Sequence, residues 1–208
     1  VGGICREYGI PFALDAAQTA GHWEIDFYGW GLSALSFPGH KGLMGPSGTG
    51  ALLLSPAFAR ELRPIVTGGT GSASDLETQP LYMPDRFESG TPNLPGIYGL
   101  EAAVSFVLRT GTETLRTHET ALTARLLDQL REVPRIRLAG PWELEDRVGV
   151  VSVDFLEADN ASAAFRLEEE HGILTRCGLH CAPAAHRTLG TFPQGTVRFS
   201  PGWFTTAE

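Results

Sequence analysis

The sequence is poor in cysteine, in long apolar runs and in positive charge, and each shortage removes a class of protein. Three cysteines in 208 residues, with Cys5 far from Cys177 and Cys181, do not make a disulfide framework and suit a reducing compartment, so a cytoplasmic location is expected. Gly, Pro or a charged residue interrupts every apolar run before the roughly 20 residues that a membrane-spanning helix needs, and no membrane partner is expected. With 16 Lys and Arg against 24 Asp and Glu, the formal net charge is −8. That balance argues against an extended basic face for phosphate backbones or anionic lipid, and no nucleic-acid partner is expected. What is there, 42% hydrophobic and 19% charged residues, is the composition of an ordinary globular protein with one or two cores.

The chain opens on Val1 rather than Met, and GGICREYGI reads as the end of a helix already under way. Thr205-Thr206-Ala207-Glu208 has the T-x-x-E spacing of a capping box, which opens a helix. Both ends are those expected of a piece of a longer protein, and a targeting segment could have stood before Val1.

Short apolar runs bounded by Gly, Pro or Asp, at Ile10 to Leu14, Leu32 to Phe37 and Gly50 to Leu54, read as buried strands of a parallel or mixed sheet. Between the last two, GHKGLMGPSGTG is too rich in glycine to be other than a tight loop or turn. Residues 55–93 are punctuated by Pro and Gly and read as mostly irregular, with a short helix at Pro56 to Leu62; connections this long are often functional. Helices are expected at Pro95 to Arg109 and Thr112 to Val133, the second with a stripe of Leu115, Leu122, Leu126 and Leu130. Strands at Ile136 to Ala139 and Val148 to Phe155, a helix from Ala161 to His171 closed by Gly172, and strands at Ile173 to Arg176 and Thr196 to Ser200 form an α+β layer. The expected boundary lies near Gly111, giving domains 1–110 and 111–208 without internal repeats.

Lys41 lies in the glycine-rich turn after an expected strand. A lysine so placed can be held partly away from water as the neutral amine that Schiff-base formation requires; read alone, it is more often a solvated surface charge. Asp15 ends the preceding strand, where its carboxylate could meet a protonated ring nitrogen or simply cap a turn. The loop RCGLHCAPAAHRTLG permits three readings. Cys177, His180, Cys181 and His186 could ligate zinc, although structural sites usually draw on two separated ligand pairs. The two cysteines could be inert buried thiols. Or Cys181, beside His180 and Arg176, could be a reactive thiol whose anion those groups stabilise. Cys5, His22, His118 and His171 read as structural or surface residues.

DAAQTAG, Asp15 to Gly21, followed by SFPGHKGLMGPSGTGALL, Ser36 to Leu53, resembles the cofactor core of the class V aminotransferase and cysteine desulfurase family. The resemblance covers nearly the whole chain. It implies the pyridoxal-phosphate-dependent transferase fold type I, here a partial large domain with a mixed sheet plus a smaller α+β C-terminal domain. It implies pyridoxal 5′-phosphate held covalently by Lys41, with Asp15 on the ring nitrogen, Gln18 on the ring hydroxyl and His40 on the phosphate. Pro38 departs from the pattern: the family usually has Ser or Thr there as a phosphate donor, and proline offers neither hydroxyl nor N–H.

DRFESGTPN, Asp85 to Asn93, resembles the family's loop that crosses to the partner subunit, which implies a homodimer with Gly90 and Thr91 at the partner's phosphate. The cysteine loop with GTVRFSPGWFTT resembles the group II desulfurases. By position Cys181 is then the persulfide cysteine, Arg198 the ligand of the substrate carboxylate, Arg176 the arginine that opens the motif and His180 the histidine beside the cysteine. The implied activity is desulfuration of L-cysteine to L-alanine, with sulfur passed to an acceptor protein. Selenocysteine lyase, another class V aminotransferase-like activity, or a non-catalytic fragment are the alternatives, since the family fold is about twice this length.

Overall fold

The computed structural model describes residues 1–207, so the Glu208 half of the terminal capping-box spacing lies outside the described residues. The chain divides into two compact units, one ending at Thr112 and one beginning at Glu113. No helix among the described residues is long and apolar enough to cross a membrane.

In the first unit a short helix α1 (Gly2–Glu7) precedes strands β1 (Ala13–Asp15), β2 (Ala34–Pro38) and β3 (Gly50–Leu54). β2 is central, parallel to β1 with Asp15 opposite Ser36, and antiparallel to β3 with Pro38 opposite Gly50. The sheet is mixed, and proline is tolerated at the very end of β2, where one missing N–H costs little. Ala16, Leu32 and Leu35 are buried and gather Phe12, Leu14, Ile25 and Phe37 around them. The expectation of three buried strands is corrected. β1 and β3 are the two edges of a three-stranded sheet and stay largely open, with Leu52 53% and Leu53 47% exposed.

Residues 55–93 carry helix α2 (Pro56–Glu61), whose first turn is capped by Ser55 Oγ accepting from the Phe58 N–H. Beyond it the connection is irregular and is tied together by Gln79, which accepts from the Gly68 N–H and donates to the Asp85 carbonyl. Helix α3 (Leu94–Thr110) starts on Asn93, whose side-chain oxygen accepts from the Gly96 N–H, and stops at Gly111. It packs on the glycine-rich turn after β2. A Cβ on Gly39 or Gly45 would stand 2.9 or 3.0 Å from the Leu100 methyl, so the helix can approach only because both lack one.

The second unit has helix α4 (Thr112–Arg131), strands β4 (Ile136–Leu138) and β5 (Val151–Phe155), helix α5 (Asn160–His171), strand β6 (Arg176–Gly178), helix α6 (Pro183–Thr188) and strand β7 (Thr196–Phe199). The four strands form an antiparallel sheet in the order β4-β5-β7-β6. Leu127, Val151 and Val153 form the core, with Leu126, Leu130, Trp142 and Phe199 around it.

The fully buried row of α4 is Leu115, Glu119, Thr123 and Leu127; of the expected leucine stripe Leu115 is buried, while Leu126 and Leu130 are half-buried against the core. Two polar residues disguise the true row, and Thr123 satisfies its hydroxyl by donating to the Glu119 carbonyl at 2.7 Å. α5 ends as expected on a left-handed Gly172, and it starts one residue before the expected Ala161, capped by Asp159. α6 was not expected at all, and β6 begins where the expected strand ends.

Candidate active site

The candidate residues fall into two groups, one in each unit. In the first unit β1 and β2 run parallel, so their carboxyl ends share one edge of the sheet. Asp15 is the last residue of β1, and Lys41 follows the end of β2 by three residues. Asp15 Oδ1 accepts from the Ala17 N–H at 2.9 Å, which steadies the carboxylate at the start of the turn. That turn meets the lysine turn backbone to backbone. A Cβ on Gly21 would lie 2.3 Å from the Gly42 carbonyl oxygen, and one on Gly42 would lie 2.4 Å from that of Ala20 and 2.5 Å from the His22 ring. Two glycines thus lock the carboxylate turn against the amine turn.

Asp15, Gln18, His40 and Lys41 are all exposed. Lys41 is therefore not withdrawn from water as expected, because Gly42 and buried Leu43 take the inward side of the turn. Gly90 and Thr91 lie in the exposed approach to α3. There the Gly90 N–H donates to the Gly69 carbonyl at 3.1 Å, and its φ of 84° favours glycine.

In the second unit the loop between β6 and β7 is built around His180. Its Nε2 stands 3.1 Å from the Thr196 carbonyl oxygen. A carbonyl only accepts, so Nε2 carries the hydrogen, and Nδ1 is an acceptor buried without a hydrogen-bond partner among the described residues. Burial first, then the charge of Arg198, push the imidazolium below its ordinary range; the bond to Thr196 opposes them, and the charges of His186 and Arg176 add smaller pushes downward. His180 is neutral near neutral pH. The positive charge of this loop comes from arginine.

His180 and Cys181 are consecutive non-glycine residues in the left-handed region, at φ 49° and 63°. Each such residue is strained by on the order of 1 kcal/mol. At this corner the Cys181 thiol is exposed. Arg176 and Arg198 lie directly opposite one another across β6 and β7, with Ser152 opposite Arg198 on the other side. Like charges so placed repel. The Nε of Arg198 is buried without a hydrogen-bond partner among the described residues, so the pair is suited to an anion with two acceptor oxygens.

Cys177 pairs with Val197, one position along from Arg176, so it points to the other face of the sheet. Neither cysteine is buried, which removes the inert-thiol reading. Among the described residues no three His, Cys, Asp or Glu side chains converge as a metal centre. His186, weighed in the sequence only as a zinc ligand, is buried with its Nδ1 2.7 Å from Thr191 Oγ1.

The fold is that of the pyridoxal-phosphate-dependent transferases of type I, in part. A cysteine desulfurase from Thermococcus onnurineus NA1, solved in its apo form, superposes with a TM-score of 0.84 at 35% identity over 99% of this chain and 51% of that one. The cysteine desulfurase CsdA from Escherichia coli gives 0.83 at 28% identity over 99% of this chain and 50% of its own. Among curated relatives, the probable cysteine desulfurase of Methanothermobacter thermautotrophicus is 34% identical over 212 residues, 100% of this chain and 52% of its own length. That of Pyrococcus abyssi is 36% identical over 206 residues, 96% of this chain and 49% of its own. The chain thus spans about half the length of the curated relatives it matches. The aminotransferase class-V model matches residues 1–208, and the chain belongs to that family. Its members depend in general on pyridoxal phosphate.

Proposed function

We propose that this chain supplies the lysine-bearing and thiol-bearing parts of a pyridoxal-phosphate-dependent cysteine desulfurase. The observation that carries the reading is the exposed Cys181 thiol, one residue from an imidazole lying in the field of two guanidinium groups.

The residues of the first unit fit the cofactor. Two turns without a Cβ between them hold the segments carrying Asp15 and Lys41 against each other at one end of the sheet, which supports a carboxylate for the ring nitrogen and an amine for the aldehyde of pyridoxal phosphate. When bound, the cofactor supplies an electron sink for charge that develops on the substrate α-carbon. Asp15 would hold the ring nitrogen, Gln18 the ring hydroxyl, His40 the phosphate and Lys41 the aldehyde carbon. The Lys41 amine would take the substrate α-proton and later give one back to the same carbon. Pro38 withholds the usual hydroxyl, so phosphate binding relies on the remaining donors.

Arg198, assisted by Arg176, holds the substrate carboxylate with the planar fork that suits two oxygens. The Cys181 thiolate attacks the substrate sulfur. The new S–S bond forms as the C–S bond breaks, its electron pair stays on the substrate carbon, and protonation there leaves L-alanine and a persulfide on Cys181. An acceptor protein then takes the sulfur.

One observation favours the reading that these groups are part of a larger pocket: Lys41, Asp15, Gln18 and His40 are all open to solvent. A homodimer fits the connection before α3, where Ile65 is 98% and Leu81 80% exposed, with Gly90 and Thr91 reaching the partner's phosphate. The test is alanine release from L-cysteine by the chain with added pyridoxal phosphate. Replacing Cys181 with Ala is expected to abolish it, whereas a thiol-independent aminotransferase activity would survive. Selenocysteine in parallel separates a lyase that prefers selenium.

A further inference from the structure

We propose that His186 is a positioning residue for the Cys181 thiol. Fixed by Thr191, it backs the His180 ring and so holds the strained His180–Cys181 corner beside Arg198 and Arg176. The inference rests on the proposed role of Arg198 as carboxylate ligand and adds what keeps the thiol in register with it.

His186 is 6% exposed, and its carbonyl accepts the N–H groups of Thr191 at 2.9 Å and Phe192 at 3.2 Å. The Thr191 hydroxyl also points at that carbonyl, at 3.4 Å. Its oxygen is therefore free to accept from the His186 Nδ1–H at 2.7 Å, which sets both tautomer and ring plane. The fixed ring lies 5.7 Å from the His180 ring, centroid to centroid, at 48°.

His180 reaches the other way, to the Thr196 carbonyl two residues before Arg198. The left-handed pair His180–Cys181 would relax toward ordinary backbone if that ring let go. The chain of support runs from Thr191 through His186 and His180 to the corner. No substrate atom need touch His186.

The probes are iodoacetate and iodoacetamide, which alkylate thiolates alike except that one carries a carboxylate. Site-resolved rates at Cys181, taken at one pH and divided by those of N-acetylcysteine amide, cancel the thiolate fraction and report the arginine pair. The wild-type chain is expected to favour iodoacetate several-fold. His186→Ala is expected to bring the ratio to that of the small thiol. Thr191→Val, which keeps the ring and removes only the hydroxyl, is expected to lose at least half of the preference, and it carries the test if His186→Ala does not fold. A wild-type preference that survives in the variants overturns the positioning role while leaving the proposed function intact. A wild-type ratio equal to that of the small thiol removes the carboxylate clamp itself, and this proposal with it.

Discussion

Gly21 and Gly42 meet backbone to backbone, with the site of a Gly21 Cβ only 2.3 Å from the Gly42 carbonyl oxygen and the Gly21 φ at +90°. Gly21→Ala therefore has two faults, a clash with a peptide group that cannot swing aside and a left-handed backbone. It is expected to destabilise the first unit by about 1 to 3 kcal/mol and to weaken cofactor uptake, because the Asp15 turn must move away from the Lys41 turn. Urea unfolding followed by near-ultraviolet circular dichroism checks the first part. An alanine variant as stable as wild type would show that the turns are not locked.

Asn160 is the hub of the second unit. Its Oδ1 accepts from the Phe155 N–H at 2.9 Å, and its Nδ2 donates to Asp154 Oδ1 at 3.0 Å and to the Gly195 carbonyl at 3.1 Å. Asn160→Ala leaves buried polar groups unpaired and is expected to cost about 2 to 3 kcal/mol. Gly195 stacks on Gly178, where its Cβ would be 2.1 Å from the carbonyl oxygen. The loss should therefore also loosen the strands that carry Arg176 and Arg198, which amide hydrogen exchange at residues 176–178 and 195–199 would register.

His180 gives the second unit a pH dependence of known sign. Its folded-state value lies below the ordinary 6.5, chiefly through burial. The unfolded chain then binds more protons between the two values, so stability is full above 6.5 and falls as pH drops toward the folded value. Wild type is expected to lose more stability than His180→Gln between pH 7 and pH 5. Equal losses in parallel urea titrations would contradict a buried neutral imidazole.

Arg198→Lys keeps the charge and loses the fork. It is expected to raise KM for the amino-acid substrate about tenfold, equivalent to about 1.4 kcal/mol, with a smaller change in kcat. Arg198→Ala should do more. Steady-state kinetics on the cofactor-loaded protein reads this, and an unchanged KM in both variants would free Arg198 from the carboxylate.

Where local chemistry and local structure coincide, the sequence was easily read. The glycine turn around Lys41, the Gly172 end of α5 and the β3 run all stand where propensity places them. The row Leu115, Glu119, Thr123, Leu127 was disguised because a satisfied hydroxyl can replace an apolar side chain in a helix–sheet contact. α6 is illegible in the sequence because six residues opened by Pro183 are too few to carry a helical period.

In the candidate site, the motifs that resemble the family pointed to Lys41, Asp15 and Cys181, where residue types and spacing alone left surface readings open. They could not show that Arg176 faces Arg198, since that depends on the register of two strands separated by a loop. Nor could they show that Cys177 turns to the other face of the sheet. His186 was visible as a residue and illegible as a contact, because its partner Thr191 is fixed only when α6 forms.

Lys41 is the only lysine in the chain, which makes the central claim directly measurable. The chain is incubated with pyridoxal 5′-phosphate, its visible absorption recorded, and the mixture then reduced with borohydride and mapped by peptide mass spectrometry. The account predicts a visible band that Lys41→Ala lacks, a reduced pyridoxyl adduct on Lys41, and a weaker band at equal cofactor in Asp15→Ala. The same band in wild type and Lys41→Ala, or full strength without Asp15, would contradict it.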